Sequence, residues 1–404
     1  MINQILEKYI PNLPSIIKID EDLKDNIKDI VNTVDIGKSF VIVSDNNTYD
    51  ILGEKVKKSL SEFKINSIIL KTDIADDSSV NKVRSASENY DAVIAIGSGT
   101  INDICKYASY LENKPYIVFG TAPSMNGYSS ANASITIEGH KKTLKAQLPK
   151  GIFLDLGILS SAPKRLIQSG LGDSLCRPTA QADWLLSNLL LDTEYDSTPF
   201  EMLAPLEKDL FENSSDLLKG DKENISLLAQ TLILSGFGMY LCHGSYPASQ
   251  GEHMIAHTME MAFKNLPKSY HGEQIGVTTL FMADIIQTSL QTPPLLKQDV
   301  HKQIIYEFFG NNVGEQCMNE YSKKLFSPEN LDNINHKILS SWDDICQKIS
   351  KISIPRNKLE NTLASASCPT SPKDIGWNES DFLNAIKLAK YTRNRFTFLD
   401  LQST

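Results

Sequence analysis

Three of the seven histidines in this 404-residue chain crowd one short stretch. They lie in Gly251-Glu252-His253-Met254-Ile255-Ala256-His257 and, past the turn signal Leu266-Pro267-Lys268, in His271-Gly272-Glu273-Gln274. His253 and His257 are four apart, which stacks them on one helical face. Two imidazoles so placed can grip one divalent metal, with His271 just beyond. The same pattern also describes a polar helix face followed by a loop histidine. A carboxylate to go with them is offered by Asp173, in Ser169-Gly170-Leu171-Gly172-Asp173-Ser174-Leu175-Cys176-Arg177, where it follows a glycine-rich turn and is expected to open a helix. Asp there is also a favourable N-cap. One carboxylate and two imidazoles, with one position open, is a ligand pattern of catalytic zinc or iron.

A second chemistry is offered by Ala95-Ile96-Gly97-Ser98-Gly99-Thr100-Ile101-Asn102-Asp103. A strand running into glycines and then a helix exposes backbone N–H groups at a helix N-terminus, a natural cradle for a pyrophosphate. A side chain there would hold the phosphate off the backbone. The stretch is neither Gly-x-Gly-x-x-Gly nor a Walker loop, since Lys106 is out of register, and a plain strand-to-helix turn reads the same way. Asp45, ending an earlier strand, could accept ribose hydroxyls or simply serve its turn. After the next strand, Gly120-Thr121-Ala122-Pro123-Ser124-Met125-Asn126-Gly127-Tyr128-Ser129-Ser130 offers hydroxyl and amide groups where open parallel sheets bind ligands. A surface turn of small residues has the same composition. His140, His243, His301 and His336 read as structural or solvated.

Hydrophobic periodicity places the elements that would carry these residues. Residues 1 to about 35 read as a short lead-in helix and an irregular connection. Strands are expected at 39–44, 65–70, 92–96 and 116–119, with helices at 49–63, at 79–89 and after Gly97. That alternation predicts a parallel, doubly wound α/β sheet. Strands at 134–137 and 151–155 flank a basic stretch, Lys141-Lys142-Thr143-Leu144-Lys145. Beyond Pro163 the strand signals vanish, and amphipathic stretches recur at about 179–191, 222–243, 248–264, 274–291, 297–309, 335–350 and 378–392. The expected architecture is an α/β N-terminal dinucleotide-binding domain over 1–156 and an all-α C-terminal domain over 157–404.

Composition narrows the function. A net charge of -9 argues against a general nucleic-acid binder, which needs a basic face. No apolar run approaches the ~20 residues needed to span a bilayer and no signal peptide is visible, so a cytoplasmic address is expected. The six cysteines are scattered without a Cys-x-x-Cys pair and read as reduced thiols.

The glycines of Gly97 to Asp103, then Thr121-Ala122-Pro123-Ser124-Met125, Gly170-Leu171-Gly172-Asp173, Gly251-Glu252-His253 with His257, and His271-Gly272-Glu273-Gln274 occur in an order that resembles the glycerol-1-phosphate dehydrogenases. That family lies within the wider group of glycerol dehydrogenases, iron-type alcohol dehydrogenases and dehydroquinate synthases. Tyr391-Thr392-Arg393-Asn394-Arg395-Phe396-Thr397 is similar to these enzymes as well. The resemblance implies an active site in the cleft between the two domains. It implies Asp173, His253 and His271 as metal ligands, with His257 facing the substrate, so that Asp173 and His257 are the catalytic pair. Gly97, Ser98, Gly99, Thr100 and Asp103 match the pyrophosphate region, Thr121, Ser124 and Ser130 match cofactor contacts, and Asp45 matches a position near the adenosine ribose. Members usually carry Asp, a substrate contact, where this chain has Asn126. Asn keeps the shape but loses the charge.

The expected activity is reversible hydride transfer between NAD or NADP and dihydroxyacetone phosphate, giving sn-glycerol 1-phosphate. Zinc is the expected metal, with iron and nickel also compatible, and Asp45 leans towards NADH because a carboxylate repels a 2′-phosphate. Lys142 to Lys145 could reach a substrate phosphate or form a solvated run. The expected partners are a phosphorylated triose or polyol and further copies of the chain in a homo-oligomer, with no nucleic acid and no membrane span. Alternatives are a dehydrogenase of another polyol or sugar-derived alcohol, a lyase or cyclase resembling dehydroquinate synthase, and a non-catalytic nucleotide-binding protein.

Overall fold

Val, Ile and Ala dominate three runs that bury nearly every side chain, Ser39–Asp45, Ala92–Gly97 and Tyr116–Gly120. A strand apolar on both faces belongs inside a parallel sheet covered by helices. The computed structural model describes residues 2–137, 140–298 and 302–402, with His140 and Lys141 in backbone only. Its strands are β1 (Ile16–Asp20), β2 (Ser39–Asp45), β3 (Lys64–Leu70), β4 (Ala92–Gly97), β5 (Tyr116–Gly120), β6 (Asn132–Ile137), β7 (His140–Lys145) and β8 (Gly151–Asp155). Six of them form one sheet in the order β1-β8-β5-β4-β2-β3. Every neighbouring pair in it is parallel. β4 and β5 finish in register at Gly97 and Gly120, which places the two glycine-bearing turns side by side.

Two expectations for this region change. Residues 1 to 35 are not only a lead-in helix: helices Ile2–Tyr9 and Ile27–Val34 bracket β1, an edge strand paired with β8 from Ile16↔Gly151 to Asp20↔Asp155. The basic stretch 141–145 is itself a strand, because β6 and β7 pair antiparallel from Asn132↔Lys145 to Ile137↔His140.

The helices that bear on function are α1 (Gly99–Leu111), α2 (Lys164–Leu175), α3 (Arg177–Leu191), α4 (Lys222–Leu241), α5 (Gly251–Ala262) and α6 (His271–Ser289). The chain divides into two compact units, but not at one point. Met1–Gly170 joins Glu201–His243 in the first, and Leu171–Phe200 joins Gly244–Thr404 in the second. Where a single boundary was expected after residue 156, the chain passes between the units three times, after Gly170, Phe200 and His243. The reason is α4. Ser129 Oγ donates to Ile233 O at 2.7 Å, and a Cβ on Gly236 would lie 2.1 Å from Ser129 Oγ and 2.4 Å from Asn126 O. Only glycine lets this helix lie so close to the turn after β5.

α4 also corrects the hydropathy reading. It has 20 residues, and its most apolar window averages a hydropathy of 1.3, enough by length and composition to cross a membrane. More than half of that window is buried within the protein, where Ile225, Leu228, Leu232, Ile233 and Phe237 pack, so α4 serves as a core helix. A helix apolar all round belongs in an interior. The second unit has its own core, in which Leu186, Met254, Ile255, Met259, Ile275 and Val277 meet Trp342, Trp377, Phe382 and Phe398.

Candidate metal and cofactor site

Asp173 does not open a helix. It lies in the last turn of α2, and its side chain is buried. Carbonyl ends of the helix dipole disfavour a carboxylate there, so the N-cap reading fails and a nearby cation would relieve the charge. His253 stands in the first turn of α5 and is buried, while His271 is the first residue of α6 and half-buried. One ligand atom from each of Asp173, His253 and His271 lies within 4.8 Å of the others. A carboxylate and two imidazoles so close, with one coordination position to spare, fit a divalent metal.

What brings them together is a crossing of α2 and α6. A Cβ on Gly172 would sit 2.1 Å from Gly272 O and 3.5 Å from the Gly276 Cα. Asp173 and His271 are the immediate neighbours of that contact.

His257 is not in the donor group, so the spacing argument for a two-histidine clamp on one helix gives way. Its ring centre is 6.0 Å from those of both His253 and His271. Its Nδ1 instead meets Arg393 Nη2 at 2.9 Å. A guanidinium can only donate, so Nδ1 accepts and the ring proton sits on Nε2.

Glu252 is a residue that the sequence reading passed over. Its Oε1 accepts from Gln250 N at 2.7 Å and faces His253 Nδ1 at 2.9 Å, while Oε2 accepts from Thr179 Oγ1 at 3.2 Å. Burial opposes its charge, but the His253 contact and the backbone N–H bond outweigh it and hold the carboxyl below its usual range. With Nδ1 so engaged, His253 has Nε2 left for a metal. Adjacency to His253 in the motif was the only available signal. Cys176, Glu252 and His253 also cluster within ligand distance. That group reads as hydrogen bonding, because Cys176 Sγ donates to Asp173 O at 3.1 Å and burial raises the thiol well above its usual value.

In the first unit, β4 hands over to α1 through Ser98, and the first intrahelical bond runs from Asn102 N to Ser98 O at 3.0 Å. The N–H groups of Gly99, Thr100 and Ile101 precede that bond, as an anion cradle requires. Gly97 is demanded by packing, since a Cβ would be 2.7 Å from Ile101 Cβ. Gly99 is not: its Cβ would meet only Met125, at an ordinary 3.4 Å. Bare backbone there is compatible with close approach of a phosphate.

Other cofactor candidates have internal duties. Asp45 Oδ1 caps the next turn, accepting from Thr48 N at 2.8 Å. Asp103 accepts from Asn102 Nδ2 and Ser134 N, both at 3.0 Å, and so braces β6. Lys106, fully buried, ties Gly127 O, Asn132 O and Ser130 Oγ together. Thr121 and Ser124 are buried in the turn after β5, Thr121 N donating to Gly97 O and Ser124 O accepting from Ser169 Oγ. Asn126 Nδ2 reaches Ser235 Oγ at 3.3 Å. Lys142 and Lys145 are exposed, as are His243 and His336; His301 and the side chain of His140 lie outside the described residues.

Comparison with known proteins agrees with this architecture. The family model described as iron-containing alcohol dehydrogenase matches residues 18–163. A probable glycerol dehydrogenase from Sinorhizobium meliloti 1021 shares the fold with a TM-score of 0.62, 15% identity and coverage of 97% of this chain and 92% of its own. Glycerol dehydrogenase from Schizosaccharomyces pombe does so with a TM-score of 0.58, 19% identity and coverage of 94% and 90%. The family model and these structures together show the fold of the iron-type alcohol dehydrogenases. Within that class, glycerol-1-phosphate dehydrogenase (NAD(P)+) of Thermococcus sibiricus is 31% identical over 287 residues, covering 69% of this chain and 79% of that one. The Bacillus subtilis enzyme of the same name is 31% identical over 288 residues, covering 69% and 73%. The chain belongs to the glycerol-1-phosphate dehydrogenase family and is a metal-dependent, NAD(P)-linked oxidoreductase.

Proposed function

We propose that this protein reversibly reduces dihydroxyacetone phosphate to sn-glycerol 1-phosphate with NADH. The observation that carries the reading is the convergence of Asp173, His253 and His271 within 4.8 Å, from three different helices, in a chain of this family. These three hold the metal, with zinc the first choice and iron or nickel compatible. A divalent ion there supplies Lewis-acid polarisation of a carbonyl. Two of these donors, Asp173 and His253, are buried away from bulk water, and Glu252 fixes the His253 ring. His257 presents Nε2–H to a substrate oxygen, steadied by Arg393 on its other nitrogen. In the other unit, Gly97, Ser98, Gly99 and Thr100 receive the pyrophosphate on first-turn N–H groups, and the Asp45 carboxylate lies near the ribose. Asp103 and Ser130 act by holding the surrounding turns, while Thr121 and Ser124 line the cofactor side. The protein works in the cytoplasm as a homo-oligomer.

The test is a substrate panel with metal-reconstituted protein, following cofactor absorbance. Dihydroxyacetone phosphate should be reduced faster than free dihydroxyacetone, and NADH oxidised in preference to NADPH. Turnover of the free triose alone would overturn the assignment. One observation favours a second reading, a dehydrogenase of another secondary alcohol: Asn126 occupies the place of the family's Asp and bonds to Ser235. Its amide offers one acceptor where a carboxylate offers two.

A further inference from the structure

Two arginines of the second unit stand apart from the other cations in their surroundings. Arg393 and Arg395 are half-buried, and among the described residues neither forms an ion pair. Their contacts are neutral. Arg393 Nη1 donates to Ser249 Oγ at 3.0 Å and Nη2 to His257 Nδ1 at 2.9 Å. Arg395 Nη1 donates to Ser249 O and Nη2 to Ser245 Oγ at 2.9 Å, with the guanidinium 4.4 Å over the Tyr246 ring. The buried lysines differ: Lys324 Nζ meets Asp400 Oδ1 at 2.7 Å, and Lys106 Nζ lies 3.6 Å from Asp103 Oδ1.

Two like charges held side by side with no carboxylate in contact are costly in a protein interior, where burial and mutual repulsion oppose the charges. Glu252, and for Arg393 also Glu320, attract them only from beyond contact distance. Proteins keep such pairs where an anion arrives to complete them, and the planar fork of arginine matches phosphate oxygens two at a time. The serines add hydroxyl groups that can turn to donate, and the Tyr246 ring under Arg395 is exposed.

Resting on the dihydroxyacetone phosphate reading above, we propose that Arg393 and Arg395, with Ser245 and Ser249, form the subsite for the phosphate monoester of the substrate. Position supports this. Arg393 touches His257, whose ring centre is 6.0 Å from those of His253 and His271. In a triose phosphate one methylene and the ester oxygen separate the reacting carbonyl carbon from phosphorus, so the anion must seat about one side chain away from the metal donors. The exposed Lys142 and Lys145 offer no comparable pocket.

The test compares kcat/KM for dihydroxyacetone phosphate and free dihydroxyacetone in the full-length, metal-loaded protein and its Arg395→Gln and Arg395→Lys variants. The preference for the phosphorylated substrate should fall by about 10- to 100-fold in Arg395→Gln, carried by KM, and by less in Arg395→Lys, which keeps a charge but not the fork. Inorganic phosphate should inhibit the wild type competitively with dihydroxyacetone phosphate and bind at least about tenfold more weakly to Arg395→Gln. If Arg395→Gln does not fold, Arg395→Lys and Ser245→Ala carry the same comparison. An unchanged preference, or inhibition competitive with NADH alone, overturns the subsite. A wild type that favours the free triose defeats the substrate assignment instead, and phosphate binding to Arg395→Gln still decides whether an anion seats there.

Discussion

Gly172 and Gly272 meet where α2 crosses α6, so closely that a Cβ on the first would overlap the carbonyl of the second at 2.1 Å. Each glycine is followed or preceded by a candidate ligand, Asp173 or His271, and the crossing distance therefore sets the separation of the two ligand groups. Gly172→Ala should push the helices apart at a cost of roughly 1–3 kcal/mol in stability. Metal affinity should fall at least about tenfold, because a donor moved by a fraction of an ångström is a poor ligand. Metal titration beside thermal melting checks both; a variant that melts lower but binds metal normally would uncouple the crossing from the site.

Metal and substrate duties separate by mutation. His271→Ala should lose bound metal and activity together, as measured by metal content and cofactor oxidation. His257→Ala should keep its metal yet lower kcat by roughly 10²–10⁴-fold. Equal metal loss in both variants would return His257 to the ligand set.

Glu252 touches His253 but is not one of the three candidate donors Asp173, His253 and His271. Glu252→Gln keeps the volume but removes the charge that orients the ring, so metal affinity should drop about 10- to 100-fold. Competition with a chelator measures it, and wild-type retention of metal would assign Glu252 to packing alone.

Asn126→Asp restores the charge usual in this family. Under the dihydroxyacetone phosphate reading, kcat/KM for that substrate should rise about tenfold as a second acceptor oxygen becomes available. A fall, with a gain for some unphosphorylated alcohol, would favour the second reading.

Stability should decline at high pH through buried thiols. Burial raises Cys105 above the usual 9.0 and pushes Cys317 and Cys368 up to about 12. A folded value above the unfolded one means the stabilisation is complete below pH 9 and lost as pH climbs from there towards 12. Melting temperature measured from pH 8 to 11 should fall over that window, and replacing Cys317 and Cys368 with Ala should flatten the decline even if it lowers the starting point.

Much of the first unit was readable because buried parallel strands are apolar on both faces and hardly depend on context. β2, β4, β5 and β8 were expected within a residue or so of where they lie. β1 was not: Ile16, Ile17 and Ile19 suit several structures, and they form a strand because Gly151 to Asp155, some 130 residues later, offer an edge to pair with. α4 was legible as a helix but not as a member of the α/β unit, since the contact that assigns it depends on Gly236 meeting the turn at Asn126 and Ser129.

At the site, the sequence alone determined which side chains could bind a metal, because imidazole and carboxylate chemistry belongs to the residue type and spacing places His253 and His257 on one face. Tertiary structure decided the partnership. It groups His253 with His271 and Asp173, sets Glu252 behind one imidazole and Arg393 behind another, and leaves Arg393 and Arg395 beside each other with only neutral groups in direct contact. Local spacing specifies directions on one helix only. Which other helix those directions meet depends on where backbones can approach, and here that depends on glycines remote in sequence, Gly172 and Gly272.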